Sequence, residues 1–227
     1  MDSGIGGSRP FVDSYVGLTI VPSQFGFASD RLHPYSNIDR ARVRLFCADA
    51  ANPNSWSKNI HEAIASFPIQ QEETDVASLS FKQSTWVLAL DTLYHFSPSR
   101  ELIFRHASEK LDASIMAFDL LLSDTPSIRD LILLRIVCRF AATPFANFLT
   151  TAQYKNQLLA AGYDSRKIDI TDISEHVFAG MASFIDRRDG ELKNIGLNIG
   201  RYRMAGKVFR WWARSGLIRG CIIVARK

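Results

Sequence analysis

The sequence predicts an α/β fold in which helices cover both faces of a mostly parallel sheet. Short β-branched or apolar runs alternate with helix-forming stretches along the chain, which is the pattern of strand-helix units. Trp86–Leu90 (WVLAL) is apolar at every position, as expected of a parallel strand buried on both faces. The chain has 227 residues, of which 47% are hydrophobic, enough for one sizeable core. We therefore predict a single domain over residues 1–227.

Two strand-helix units open the pattern. Tyr15–Val21 is a short apolar run that ends before Pro22, and Ser23 can cap a helix that follows. Arg42–Cys47 alternates in polarity, and Ser55 can start a helix that continues through Ala65. Each unit thus places a loop at the carboxyl end of its strand.

The second half continues the alternation and then becomes richer in helices. The remaining predicted strands are 86–90, 113–122, 167–170 and 222–224, and the remaining predicted helices are 99–111, 128–140, 150–161, 174–187 and 201–215. Gly162 suits the C-cap of the helix before it. We expect late helical insertions, at about 126–160 and 173–215, to form a substrate cap.

Composition narrows the class of protein. The net charge of +4 is mild and the chain has no basic tail, so nucleic acid binding is not predicted. Cys47, Cys138 and Cys221 lie far apart among apolar neighbours, which predicts buried free thiols in a reducing compartment, the cytoplasm, and no metal site. No uninterrupted apolar run is long enough for a membrane span.

The amino-acid sequences of three segments resemble those of a known family. They read VGLTIVPSQFGFASDRL, CADA and ALDTLYHFSPSRELIFRHASEKLDASIMAFDLLL. They resemble class I S-adenosylmethionine (SAM)-dependent methyltransferases of the small-molecule C- and O-methylating type, related to the tocopherol, sterol and cyclopropane-synthase groups. The likeness runs from about Gly4 to Lys227. It implies a Rossmann-like fold, SAM as cofactor, and a small apolar or aromatic metabolite, as in secondary metabolism, as substrate.

The resemblance implies a set of cofactor-binding residues. Asp2, Gly4 and Gly6 match the family's loop of an acid followed by alternating glycines, although Ser8 stands where the third glycine falls. Glycines there let the backbone approach the cofactor closely. The alternative is that these residues form a terminal segment without a ligand.

Four further residues match the family's nucleoside-binding positions. Thr19 and Gln24 match the pair that holds the ribose hydroxyls, and Asp49 matches the acid that accepts from the adenine amino group. Trp56 is placed to stack on the adenine ring. The alternatives are that Thr19 serves strand formation, Gln24 is a solvated helix residue, Asp49 is a helix cap and Trp56 is core.

The substrate side is marked by Tyr94 and His95, which follow a strand at the edge where α/β folds bind ligands. His95 is the candidate general base, because its ordinary pKa lies near neutrality. His176 and Phe178 resemble the family's segment that covers the substrate. A structural histidine in the loop and a surface histidine on a helix are equally consistent alternatives.

The N-terminal edge departs from the family. Only residues 8–14 lie between the glycine positions and the first predicted strand, too few for the family's first helix, so its first strand and first helix are expected to be missing or reduced. We therefore expect weak or absent SAM binding, which micromolar affinity would contradict.

Three other functions remain open at this point. The chain can be an inactive methyltransferase-like binding or regulatory partner. It can be a nicotinamide-dependent reductase, although the tyrosine and lysine spacing of short-chain reductases is absent. It can also be a peripheral membrane module, built on the apolar helix around Leu131 and the basic helix around Trp211.

Overall fold

The computed structural model describes residues 12, 14–32, 42–66, 84–200 and 202–227. Asp2, Gly4 and Gly6, the predicted glycine loop, lie outside the described residues. The chain divides into two compact units, Met1–Gln83 and Ser84–Lys227. The prediction of one domain over the whole chain stays a prediction.

The described residues of the first unit form two parallel strands and two helices. Strand β1 (Tyr15–Thr19) pairs in parallel with β2 (Val43–Cys47), and α1 (Pro22–Leu32) follows β1. A 3₁₀ turn (Pro53–Ser55) and α2 (Lys58–Ala65) follow β2. The strand-helix order predicted from the sequence is confirmed for both pairs, with α1 beginning one residue before the predicted Ser23 cap.

The second unit is a four-stranded mixed sheet with five helices. The strands are β3 (Trp86–Leu90), β4 (Ser114–Leu122), β5 (Ile168–Asp172) and β6 (Ile218–Ala225). Their order is β3-β4-β6-β5; β3 and β4 are parallel, and β6 runs antiparallel to both of its neighbours. Helices α3 (Glu101–Glu109), α4 (Ile128–Ala141), α5 (Thr151–Ala160), α6 (Ser174–Lys193) and α7 (Tyr202–Ser215) complete the unit.

Alternate residues of β4 face two different layers. On one side lie Asp119 and, on the neighbouring helices, the tilted rings of Phe104 and Tyr154, whose centroids are 5.7 Å apart. On the other side Leu120 and Leu122 belong to a buried cluster that includes Phe178 and Trp212. Helices thus pack on both faces of β4, as the sequence predicts.

The prediction that Trp86–Leu90 is buried on both faces is wrong. Trp86, Leu88 and Leu90 are exposed, and so is Met116, the partner of Leu88 in the ladder. β3 is an edge strand of the four-stranded sheet of the second unit, and no described helix of that unit covers this side of it. The apolar pattern predicted the strand correctly but not the exposure of these side chains.

Cysteine burial also differs from expectation. Cys138 and Cys221 are buried, and burial raises the pKa of Cys138 to about 11 and that of Cys221 to about 12, so both thiols stay protonated. Cys47, the last residue of β2, is exposed. Only two of the three thiols are therefore the inert, buried kind that the sequence predicts.

Gly162 gives a matched test of backbone geometry. It follows α5 with φ +96°, and a Cβ there would lie 3.0 Å from Ser108 Oγ. We expect Gly162→Ala to lower the free energy of unfolding by about 1 kcal/mol, because an L side chain is strained at positive φ. Gly180 lies inside α6 with open space around it, so Gly180→Ala should raise that energy by about 0.5–1 kcal/mol. Chemical denaturation measures both; equal effects would contradict the assignment.

Candidate functional site

The first candidate site lies at the carboxyl ends of β1 and β2. Thr19 closes β1, and its hydroxyl donates to Gln24 Oε1 at 2.9 Å while accepting from the Val21 backbone N–H at 3.2 Å. Gln24 lies in the first turn of α1, so the pair joins the strand end to the helix start. The contact orients the amide so that its NH₂ group is left to donate to a ligand hydroxyl.

Asp49 and Trp56 are held together after β2. Asp49 Oδ1 accepts from the Ala51 backbone N–H at 2.8 Å, and the Asp49 carbonyl accepts from Trp56 Nε1 at 2.8 Å. Among hydrogen bonds between described residues, none reaches Asp49 Oδ2, so that oxygen can accept from a ligand. Trp56 is 8% exposed and its ring is tilted against His61 at 6.0 Å. Most of the indole therefore packs inside its unit, and its stacking on an adenine ring stays a prediction.

The hydrogen-bonding groups of Asp49 and Gln24 complement those of an adenine nucleoside. A carboxylate oxygen is acceptor-only and suits an exocyclic amine, whereas a free carboxamide NH₂ group suits ribose oxygens. Thr19 ends β1, and the other three residues lie in the segments that follow β1 and β2, at the strand ends where α/β folds place ligands. Their roles in cofactor binding stay predictions.

The second candidate site is the turn after β3. Asp91 has a φ of +57°, which is uncommon for a residue other than glycine, and a 3₁₀ turn (Leu93–His95) follows it. Tyr94 Oη donates to Asp91 Oδ1 at 2.9 Å, and the Tyr94 and His95 rings lie 4.2 Å apart. The turn therefore presents two aromatic polar side chains from a constrained backbone.

Tyr94 and His95 have opposite acid-base characters. Burial, reinforced by the charge of Asp91, raises the pKa of Tyr94, so its hydroxyl remains a donor and cannot act as a base near neutral pH. Burial lowers the pKa of His95 below its ordinary value, an effect that the charge of Asp91 opposes. His95 is therefore mainly neutral at physiological pH, as a general base must be.

The tautomer of His95 follows from its neighbour. Thr143 Oγ1 lies 3.2 Å from His95 Nδ1 and 3.3 Å from the Ala141 carbonyl. If the Thr143 hydroxyl donates to the Ala141 carbonyl, then Thr143 Oγ1 accepts from Nδ1–H of His95, and Nε2 of His95 carries the lone pair. This assignment makes Nε2 the atom that takes a proton.

A buried network holds the turn in place, and sequence reasoning missed it. Arg100 and Asp119 form an ion pair with both side chains fully buried, and Arg100 also donates to the Asn147 carbonyl. The Asn147 amide donates to the carbonyls of Tyr94 at 3.1 Å and Phe96 at 2.6 Å. The Arg100 links are buried and the two Asn147 amide links are partly buried, and together they hold the backbone on both sides of His95.

One sequence feature could have revealed this network. Asp119 interrupts an otherwise apolar strand, and a charge at such a position requires a partner. The sequence did not identify the partner, because the contacts join residues that are far apart in the chain. Arg100 lies 19 residues from Asp119, and Asn147 lies 47 residues from Arg100.

The two predicted substrate-lid residues lie in different environments. His176 is exposed in the first turn of α6, with Nε2 3.1 Å from Glu175 Oε1. Phe178 is 1% exposed and packs between Phe209 and Trp212. Phe178 thus contributes to the core, and neither residue contacts the His95 turn by any hydrogen bond or ring contact between described residues. Their substrate roles stay predictions.

Neither a membrane span nor a metal cluster is found in the described part of the chain. No helix there is long and apolar enough to cross a bilayer. No group of three or more His, Cys, Asp or Glu side chains is arranged there to hold a metal ion.

The sequence matches no protein-family model and no curated protein. The structure, in contrast, resembles solved structures over nearly its whole length. The cyclopropane synthase MmaA2 from Mycobacterium tuberculosis matches with a TM-score of 0.64 and 13% identity, over 94% of this chain and 70% of that one.

Two further matches have different activities by name. Phosphoethanolamine N-methyltransferase 2 from Haemonchus contortus, solved with S-adenosylhomocysteine, matches with a TM-score of 0.61 and 12% identity, over 93% of this chain and 43% of that one. The [4+2]-cyclase SpnF matches with a TM-score of 0.56 and 17% identity, over 94% of this chain and 66% of that one. The chain spans less than two thirds of both proteins.

At these identities the matches establish architecture, and one architecture serves several reactions. The predicted fold class is confirmed on this basis. The chain has a Rossmann-like fold, which it shares with solved structures that include a cyclopropane synthase and an N-methyltransferase.

Proposed function

We propose that the protein is a SAM-dependent methyltransferase that acts on a small, apolar or aromatic metabolite. The observation that carries the proposal is the fold likeness, supported by Thr19, Gln24, Asp49 and Trp56 at the strand ends where this fold binds its nucleoside. When bound, SAM supplies an electrophilic methyl group. We place the protein in the cytoplasm, consistent with two unpaired, buried thiols.

In the proposed reaction the chain binds SAM and the substrate, orients them, and deprotonates the substrate. Asp49 Oδ2 accepts from the adenine amino group, and the Gln24 amide donates to the ribose. On the substrate, His95 Nε2 removes a proton from the carbon or hydroxyl that receives the methyl group. The network of Arg100, Asp119 and Asn147 keeps the turn that carries His95 in one conformation, since alignment supplies much of the rate of such displacements.

The alternative is a methyltransferase-like binding partner without turnover. It shares the nucleoside residues but makes no use of a neutral histidine in the turn after β3. The lowered pKa of His95 and its contact with Thr143 therefore favour the enzyme.

Asp49 tests nucleoside binding. Asp49→Asn turns half of the carboxylate into a donor that repels the adenine amino group, so we expect about tenfold weaker binding of S-adenosylhomocysteine. Asp30→Asn on α1 is the matched control, because Asp30 is exposed, and it should leave the affinity unchanged. Calorimetric titration measures the three proteins. Equal affinity of wild type and Asp49→Asn would remove Asp49 from the site.

A further inference from the structure

Helix α4 presents a face that no described residue covers. Leu134 and Cys138 on its inner side are buried in the core cluster. On its outer side Ile128 is 77% exposed, Ile132 55% and Phe140 87%. Leu133 and Ile136 are exposed beside them. At 3.6 residues per turn, these five side chains fall within one broad outer arc of the helix.

The same face is basic. Arg129, Arg135 and Arg139 are exposed on it, and the Arg135 guanidinium also lies over the Phe145 ring at 4.8 Å. The single acid of the helix, Asp130, is turned inward, where it binds the Ser127 hydroxyl at 2.7 Å and Trp211 Nε1 at 3.2 Å. The outer face of α4 therefore combines apolar side chains with uncompensated positive charge.

The basic helix α7, the other element suggested by the sequence for membrane contact, is committed elsewhere. Arg203 and Arg210 pair with Asp189 and Asp186 on α6. Trp212 is buried, and Phe209 packs on it at 5.7 Å. Two arginines and two aromatic rings of α7 thus serve its packing on α6, whereas the outer apolar side chains of α4 remain exposed.

We propose that the outer face of α4 docks on an anionic lipid bilayer surface. Interfacial helices bury apolar side chains at the level of the headgroups while neighbouring arginines bind lipid phosphates. A second copy of the chain is a poorer occupant, because a symmetric pairing would place arginines against arginines without an acid between them. Charge complementarity therefore favours the lipid surface.

Docking through α4 would bring the His95 turn near the bilayer. Helix α4 ends at Ala141, and Thr143, two residues on, contacts His95. This consequence for substrate access, an apolar acceptor taken from the lipid phase, rests on the proposed methyl transfer. The docking itself does not, since it is measured without cofactor or turnover.

Vesicle sedimentation tests the docking. We expect the full chain to pellet with vesicles of phosphatidylcholine and phosphatidylglycerol, to pellet far less with phosphatidylcholine alone, and to be released by high salt. Ile132→Gln/Phe140→Gln should weaken binding at least tenfold. Arg129→Gln/Arg139→Gln should weaken it about 25-fold, at about fivefold per arginine.

Two controls match these variants in chemistry but not in place. Ile195→Gln/Leu197→Gln removes exposed apolar side chains beyond α6, and Arg105→Gln/Arg166→Gln removes exposed arginines outside α4. Both should bind like wild type. Failure to pellet with anionic vesicles, equal losses in the control variants, or an α4-dependent dimer in sedimentation velocity would each overturn the proposal. If instead the proposed function is wrong, the wild-type protein will not bind S-adenosylhomocysteine but will still bind the vesicles.

Discussion

Asp119→Asn will lower the free energy of unfolding by about 3–5 kcal/mol, because it leaves the fully buried Arg100 guanidinium without a counter-charge. The replacement keeps the size of the side chain, so the loss reports the charge and not a cavity. Burial raises the pKa of Asp119 and Arg100 opposes that effect, so the stability of the pair depends on the arginine remaining in place.

Two comparison variants make this prediction specific. Asp164 pairs with Arg166 on the surface, and Asp164→Asn should lower the free energy of unfolding far less, because exposed ion pairs are screened by solvent. Arg100→Met/Asp119→Leu removes both charges and should recover most of the loss, as paired buried charges often tolerate apolar replacement. Chemical denaturation of the four proteins supplies the measurement. A loss for Asp119→Asn no larger than that for Asp164→Asn would show that the network does not hold the fold.

His95→Gln will reduce methyl transfer by about 10²–10⁴-fold, the usual contribution of a positioned general base. Binding of S-adenosylhomocysteine should not change, because the substituted side chain is assigned to the substrate and not to the nucleoside. Turnover of a model acceptor with isotopically labelled SAM gives the rate. A His95→Gln enzyme that turns over at the wild-type rate would exclude His95 as the base.

The pH profile carries an independent prediction for the same histidine. The active form is neutral imidazole, and burial lowers the pKa of His95 below 6.5. Turnover should therefore be flat above pH 6.5 and fall only as the pH drops through the lowered pKa. Thr143→Val should lower the rate, whereas Thr143→Ser keeps the acceptor for Nδ1–H and should preserve it. A profile that still rises well above pH 7 would contradict the assignment.

Strand-helix alternation predicted the fold well because it depends on local pattern. The bounds of β3 and the starts of α4 and α5 were all predicted to within a residue or two. Thr150 forms a reciprocal capping box with Gln153. Such caps depend only on residues that are close in sequence. The predicted elements were wrong where contacts between residues distant in sequence determine the structure.

Strand β6 illustrates such an error. The prediction covered only 222–224, whereas the strand spans Ile218–Ala225. It pairs on both sides, with β4 along its whole length and with β5 over five residues. Gly220 and Arg219 are weak strand formers, and the two neighbouring ladders hold them in the sheet regardless of propensity.

The sequence proposed residues for the candidate site but not the contacts between them. Thr19, Gln24 and Asp49 were proposed from their match to the family's nucleoside-binding positions, and His95 from its place after a strand; the structure adds the contacts that orient these residues, and their roles stay predictions. The buried support of the His95 turn came only from the folded chain, because its members are distant in sequence.

Ligand-observed NMR on the full chain tests the central claim most directly, since it detects weak as well as tight binding. We predict that irradiating the protein transfers saturation to the adenine and ribose protons of S-adenosylhomocysteine, that SAM competes for the site, and that Asp49→Asn weakens the effect. Absence of transfer to S-adenosylhomocysteine, with transfer to the nicotinamide protons of NADPH, would contradict the account and favour a reductase.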